Sequence, residues 1–205
     1  SPGAEAGRRR QTRRRRESAR DDQALPRGRC HRPGARYGWP TIELIKFLKE
    51  EIKGKGVIEI GAGNGDLGYH LWIKMTDSMI QDYAPVKLLY AIGGQPTIQY
   101  PHDVRKMEAL EAIKKYQPDL VIASWVTKWI PNDDTIPMNT KGSIYGVKED
   151  ELLKMCDYIL IGNHEIHGDK EIMNLPHIEI NNKFIVSRAK DKSLNRIYIW
   201  NKHKE

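Results

Sequence analysis

The stretch that most limits what this chain can fold into is residues 57–68, VIEIGAGNGDLG. Val57, Ile58 and Ile60 form a short β-branched run that suits a strand buried on both faces. An acid, Glu59, sits inside the run, and glycines follow at positions 61, 63, 65 and 68. An apolar pattern at helical spacing then starts from Leu67. A buried strand that breaks into closely spaced glycines and resumes as a helix aims backbone N–H groups at one point, where they hold an anionic or nucleotide ligand. Such units belong to open α/β sheets, whose ligands lie beyond the carboxyl ends of the strands. A plain connecting turn needs fewer glycines.

Two ligand classes use loops of this kind. A dinucleotide loop, G-x-G-x-x-G directly after the strand, fails at Asp66, which stands where the third glycine belongs. The frame Gly63, Gly65, Gly68 has the spacing but starts two residues late. A dinucleotide site also wants an acid at the end of the second strand. The best second strand by composition, residues 87–92, runs into Gly93-Gly94-Gln95 instead.

Glu59-x-Gly61-x-Gly63-x-Gly65 resembles the first motif of the Rossmann-like class of S-adenosylmethionine-dependent methyltransferases. The resemblance implies that Glu59, Gly61, Ala62, Gly63, Asn64 and Gly65 hold the cofactor S-adenosyl-L-methionine near its amino-acid end. It implies Glu108, after the third strand, for the adenine amino group, and Ser124 and Trp125 beside the methyl donor. Gln95 is the nearest polar substitute for the ribose-binding acid the family usually offers. The fourth strand lacks the Asn/Asp-Pro-Pro-Tyr segment of enzymes that methylate exocyclic base amines, which argues against base methylation. No residue of the sequence names the methyl acceptor or the oligomeric state.

The net charge of +7 is unevenly placed. Residues 1–36 hold 12 arginines against four acids, a balance of +8 that leaves −1 for the remainder. This Arg-rich stretch has one large aliphatic residue, Leu25, and cannot bury enough surface to offset its ordering entropy. It is expected to be a disordered extension, with residues 37–205 as the methyltransferase-like domain. Residues 8–36 suit an arm that neutralises nucleic-acid phosphates. The abrupt change from Arg, Ala, Gly and Pro to Lys, Ile, Asn and Tyr equally suits a segment of separate, non-native origin.

No apolar run reaches the roughly 18–20 residues of a membrane helix. Cys30 and Cys156 are too few for a disulfide framework and lack zinc-site spacing. A reducing, cytoplasmic setting without a metal is expected.

Along the body, Thr41 is a plausible N-cap for a helix through Lys53, and residues 57–60 are the first strand. Leu67, Leu71 and Met75 mark a second helix. Residues 87–92 read as the second strand, 104–107 as the third, 109–116 as a helix and 118–125 as the fourth strand. Residues 131–146 form a long loop with Asp133 and Asp134. A helix over 148–155 precedes the fifth strand, 157–162. Residues 178–186 and 196–200 lack a helix-length connection and read as antiparallel partners. The expected fold is therefore α/β: a doubly wound, mostly parallel seven-stranded sheet with an antiparallel C-terminal strand, the architecture of the methyltransferases.

Proton-handling groups are densest at Asn163-His164-Glu165-Ile166-His167, after the fifth strand. His164 and Glu165 are the candidates for a general base, which a weak oxygen or nitrogen acceptor needs. Methyl transfer is the leading reading. The alternative is a non-catalytic, methyltransferase-like binding protein whose arginine arm engages nucleic acid.

Overall fold

In the computed structural model, residues 35–131 and 145–202 are described. The expected extension over residues 1–34 and most of the long loop, with Asp133 and Asp134, lie outside them. Ala35 and Arg36, grouped with the extension by charge, are part of the domain: Ala35 is buried, and Arg36 pairs with Asp66.

The apolar runs become the centre of the sheet because their residues alternate between two cores. Val57–Ile60 (β2), Leu120–Ser124 (β5), Asp157–Asn163 (β6) and Asn195–Trp200 (β9) send Ile58, Ile60, Val121, Ala123, Tyr158, Leu160, Tyr198 and Trp200 to one face. There they meet Ala109–Tyr116 (α4) and Glu149–Leu153 (α5). Leu120, Ile122, Ile159, Ile161 and Ile197 point the other way, onto Ile42–Glu51 (α1) and Asp66–Leu71 (α2). Both faces are covered, which is why these strands lack a polar side. Thr41 caps α1 as expected, accepting from Leu44 N while its hydroxyl donates to Phe184 O at 2.8 Å.

With Lys74–Asp77 (β3), Val104–Lys106 (β4) and Ile178–Ile180 (β7), the sheet has seven strands in the order β4-β3-β2-β5-β6-β9-β7. Neighbours from β4 to β6 are parallel, and β9 runs antiparallel to both β6 and β7. The protein is thus a mixed α/β, mainly parallel, Rossmann-like fold with a reversed C-terminal strand. A separate two-stranded ribbon joins Gly38–Trp39 (β1) to Val186–Ser187 (β8). Strand order reverses between β2 and β5, and a crevice opens there beyond their carboxyl ends.

The second strand is not where composition put it. Residues 87–92 belong to a helix, Ala84–Ile92 (α3), with Pro85 in its first turn. Its Ala, Leu and Lys residues are good helix formers, and Pro is tolerated at a helix start. The real second strand is β3. The helix expected to run through Met75 ends at Leu71 because Trp72 adopts a left-handed conformation, φ 61°, and Ile73 N turns back to Gly68 O. Met75 is a strand residue, buried against Gly68. Strand β5 and helix α4 fall where they were expected; α5 is shorter than read, and β7 stops at Ile180.

Among the described residues, the buried ion pair outside the crevice joins α5 to the segment after β6. Lys170 Nζ donates to Glu149 Oε2 at 2.6 Å, and Tyr158 Oη donates to Glu149 Oε1 at 2.7 Å. All three side chains are almost fully enclosed. Burial pushes the Glu149 carboxyl up and the Lys170 ammonium down, and each partner opposes that push on the other.

Candidate functional site

The glycine loop adopts a conformation that side chains resist. Gly61 and Gly63 both have φ 56°, and a Cβ on Gly61 would come within 2.5 Å of Val126 Cγ1. Ala62 N donates to Thr76 O and Gly65 N to Ala62 O, which folds the loop back over β3. Gly65 is the N-cap of α2 and has no side chain to offer the helix. Glu59 supplies the missing acceptor: its Oε2 takes the Gly68 N–H at 2.8 Å, in the first turn of α2. Glu59 is 1 % exposed yet borders the cavity, so it fixes the loop from beneath.

The cavity above this loop is walled by the ends of β2, β3 and β5, by the segment after β4, and by residues 35–40. Asp77 closes β3. Its Oδ2 accepts from Gly63 N at 2.8 Å and its Oδ1 from Met79 N at 2.7 Å. Burial is the largest influence on its carboxyl and raises its pKa, against the lowering effect of these amides and of the Tyr100 hydroxyl. A carboxylate has about four lone-pair sites, so Asp77 retains acceptor capacity toward the cavity. Glu108, the N-cap residue of α4, stands on the same side at the end of β4. Burial and then the nearby Asp77 raise its pKa.

On the other side of the loop lie Ser124 and Trp125, at the end of β5. Trp125 has φ 61°, a conformation that costs a non-glycine residue about 1–3 kcal/mol. Its ring stacks on Tyr37 at 6.3 Å between centroids and meets the His167 ring edge-on at 5.4 Å. Gly38 packs closely beside it: a Cβ there would lie 3.3 Å from Trp125 Nε1, so the ring would have to shift slightly.

Of the residues expected from sequence, Glu59, Gly61, Ala62, Gly63, Asn64, Glu108, Ser124 and Trp125 all border this one cavity. Gly65 does not line it but starts α2 beneath it. Gln95 is elsewhere: it follows a helix rather than a strand and accepts from Arg188 Nη2 at 2.6 Å. His164 and Glu165 also fall outside the cavity lining. Asn163 Oδ1 caps Glu165 N, so the chain turns at once into a short helix, His164–His167 (α6), leaving both side chains exposed. His164 Nδ1 instead contacts Tyr198 Oη at 3.1 Å.

Sequence reasoning missed Asp77, Arg36, Tyr37 and Tyr100, all on the cavity wall. Asp77 follows Gly61 by 16 residues, short of the roughly 20 usual for a ribose-binding acid, so spacing alone did not single it out. Arg36 was hidden by the arginines before it.

His167 lies behind Trp125, 2 % exposed, with Nδ1 accepting from Asn163 N at 3.0 Å. Burial, and secondarily Lys170, lowers its pKa to about 4. The unfolded chain therefore takes up a proton near pH 6.5 that the folded chain refuses until about pH 4. His167 supports the fold fully above pH 6.5 and progressively less as pH falls through that window. In urea titrations, wild type is expected to lose roughly 3 kcal/mol more than His167→Gln between neutral pH and pH 4.

No family model matches the chain, and no curated protein matches it. Among solved structures it is similar to SMU.776, described as a proposed methyltransferase complexed with SAH, at 10 % identity and a TM-score of 0.38. That match covers 77 % of this chain, which spans only 48 % of the length of SMU.776. It is also similar to Thermoplasma acidophilum 1320, at 13 % identity and a TM-score of 0.38, covering 85 % of this chain and 94 % of that one. Likeness at this level carries no functional inference.

No helix among the described residues is long and apolar enough to cross a membrane. No group of three His, Cys, Asp or Glu among them converges as a metal site would.

Proposed function

We propose that the chain binds S-adenosyl-L-methionine across the carboxyl ends of β2, β3, β4 and β5 and transfers its methyl group. The observation that carries this reading is Asp77. It places an acid at the end of the second strand, hydrogen-bonded to the glycine loop, in the position that sequence alone left empty. A seven-stranded sheet with its last strand reversed is also the doubly wound methyltransferase architecture implied by the resemblance at Glu59–x–Gly61–x–Gly63–x–Gly65.

The residues present fit such a ligand. Glycine at 61 and 63 lets the loop pass close beneath Val126 and Ile98, which a Cβ would approach to 2.5 and 3.0 Å. Asp77 would accept from ribose hydroxyls, and Glu108 from the adenine amino group. Arg36 and Asp66, paired beside Asn64 at the start of α2, suit the carboxylate and ammonium of an amino-acid end. The bound cofactor supplies an electrophilic methyl on a sulfonium. The protein's part is to align the acceptor in line and exclude water, for which Trp125 and Tyr37 form the wall at the reactive end. His164 and Glu165 take no part in this arrangement.

Asp77 also meets one requirement of a dinucleotide site, which makes a nicotinamide cofactor the second reading. Equilibrium dialysis of the full chain with S-adenosylmethionine and with NAD separates the two. Retention of the first alone is expected; retention of NAD alone overturns the proposal. The arginine arm and its nucleic-acid partner rest on sequence alone.

A further inference from the structure

We propose that the segment 79–100, with α3 at its centre, is a lid on this cavity, and that a polar latch at Tyr37 and Arg188 gates ligand exchange. The inference rests on the cavity being the ligand site proposed above, and it adds how that site is regulated.

Helix α3 belongs to neither core of the sheet. Val86 is its one buried side chain, whereas Leu88 is 62 % and Ile92 74 % exposed. An element with so little apolar anchorage opens at low cost, as lids do. Yet the stretches on either side of α3 form cavity wall. Ile80 precedes the helix, and Ile98 and Tyr100 follow it. Ile98 Cδ1 lies 3.0 Å from where a Cβ on Gly63 would be, directly over the glycine loop. Ile98 N donates to Gln81 Oε1 at 2.8 Å, tying the two flanks of α3 into one piece.

Apart from Val86 and Met79, which pack inward, this piece is held down by polar contacts. Tyr90 Oη and Tyr37 Oη are 3.3 Å apart, and Arg188 Nη2 donates to Gln95 Oε1 at 2.6 Å. The opposing half of the latch is firmly built. Arg188 N donates to Tyr37 O at 3.0 Å, its guanidinium lies 4.7 Å from the centre of the Tyr37 ring, and Tyr37 stacks on Trp125. The ribbon β1–β8 fixes both strands from which these residues extend. Lifting α3 breaks these two side-chain contacts and exposes Val86; for Ile98 to leave Gly63, the Tyr100 hydroxyl must also release Asp77.

The test compares wild type with the Tyr90→Phe/Gln95→Ala variant of the full chain, using stopped-flow binding of S-adenosylhomocysteine and amide hydrogen exchange. Loss of two net hydrogen bonds is expected to speed exchange of the α3 amides about 10-fold, with β5 and β6 unchanged. Association and dissociation rates should both rise about 10-fold, leaving Kd within about threefold. A merely structural contact would raise dissociation alone, and that result overturns the gate. So does α3 exchange as slow as that of β5 and unmoved by the substitutions. If the ligand binds both proteins at identical rates, the gate fails while the cofactor reading stands. If α3 loosens but neither protein binds the ligand, the site reading fails and the gate with it.

Discussion

Asp77→Asn is expected to raise the Kd for S-adenosylhomocysteine roughly 10- to 100-fold, the range for losing hydrogen bonds to a charged acceptor. In the proposed complex the carboxylate would accept from a ribose hydroxyl while also taking the Gly63 and Met79 amides. A carboxamide keeps one acceptor and turns a donor toward the other amide, so a stability loss of about 1 kcal/mol accompanies the binding defect. The pH dependence identifies the group. Burial raises the Asp77 carboxyl, so wild-type affinity begins to fall on acidification above the ordinary value of 3.8. Protonation of Asp77 removes the charge the ribose hydroxyls need, and the Asn variant should lack that part of the profile. Calorimetry across the acid range reads both effects.

Lys170→Met should destabilise the domain by about 3–5 kcal/mol, because it strands the Glu149 carboxylate in the core without its cation. For a chain of this size that corresponds to a fall in Tm of roughly 10 °C. The sign of the pH dependence is fixed by Glu149, whose folded pKa is already raised by burial. Without Lys170 it rises further. The penalty is largest above that raised value and shrinks as pH falls from it toward the ordinary 4.5. Glu149→Gln/Lys170→Met should recover most of the loss, since Gln still accepts from the Tyr158 hydroxyl. Thermal melts of the two variants at neutral pH test this. The tie matters to the site because α5 follows the cavity residues 145–147 and Lys170 follows His167, which backs Trp125.

The parts of the fold legible in the sequence were those with one reading. Ile58, Val121, Ile122, Ile159 and Leu160 lie in short apolar runs rich in β-branched residues, and these became the buried strands β2, β5 and β6. The helix over 109–116 announced itself by periodicity. Residues 87–92 failed for a physical reason: Leu88, Leu89 and Ile92 are apolar without being buried, and a short apolar run looks alike as strand or helix. The same error hid β3, whose Thr76 and Asp77 carry no strand signature, and with it Asp77. His164 and Glu165 were selected by a sound rule about strand ends. They left the cavity because Asn163 caps a helical turn immediately after β6. Charge composition misplaced Arg36, which follows eleven other arginines in sequence and sits beside Asp66 in space.

The central claim is that the cavity over Glu59, Gly61, Gly63 and Asp77 is a site for the S-adenosyl cofactor. Titration calorimetry of S-adenosylhomocysteine into the full chain tests it most directly. Saturable binding at one site, weakened by Asp77→Asn, is the predicted result. Absence of heat at millimolar ligand, or binding that Asp77→Asn leaves unchanged, would contradict it.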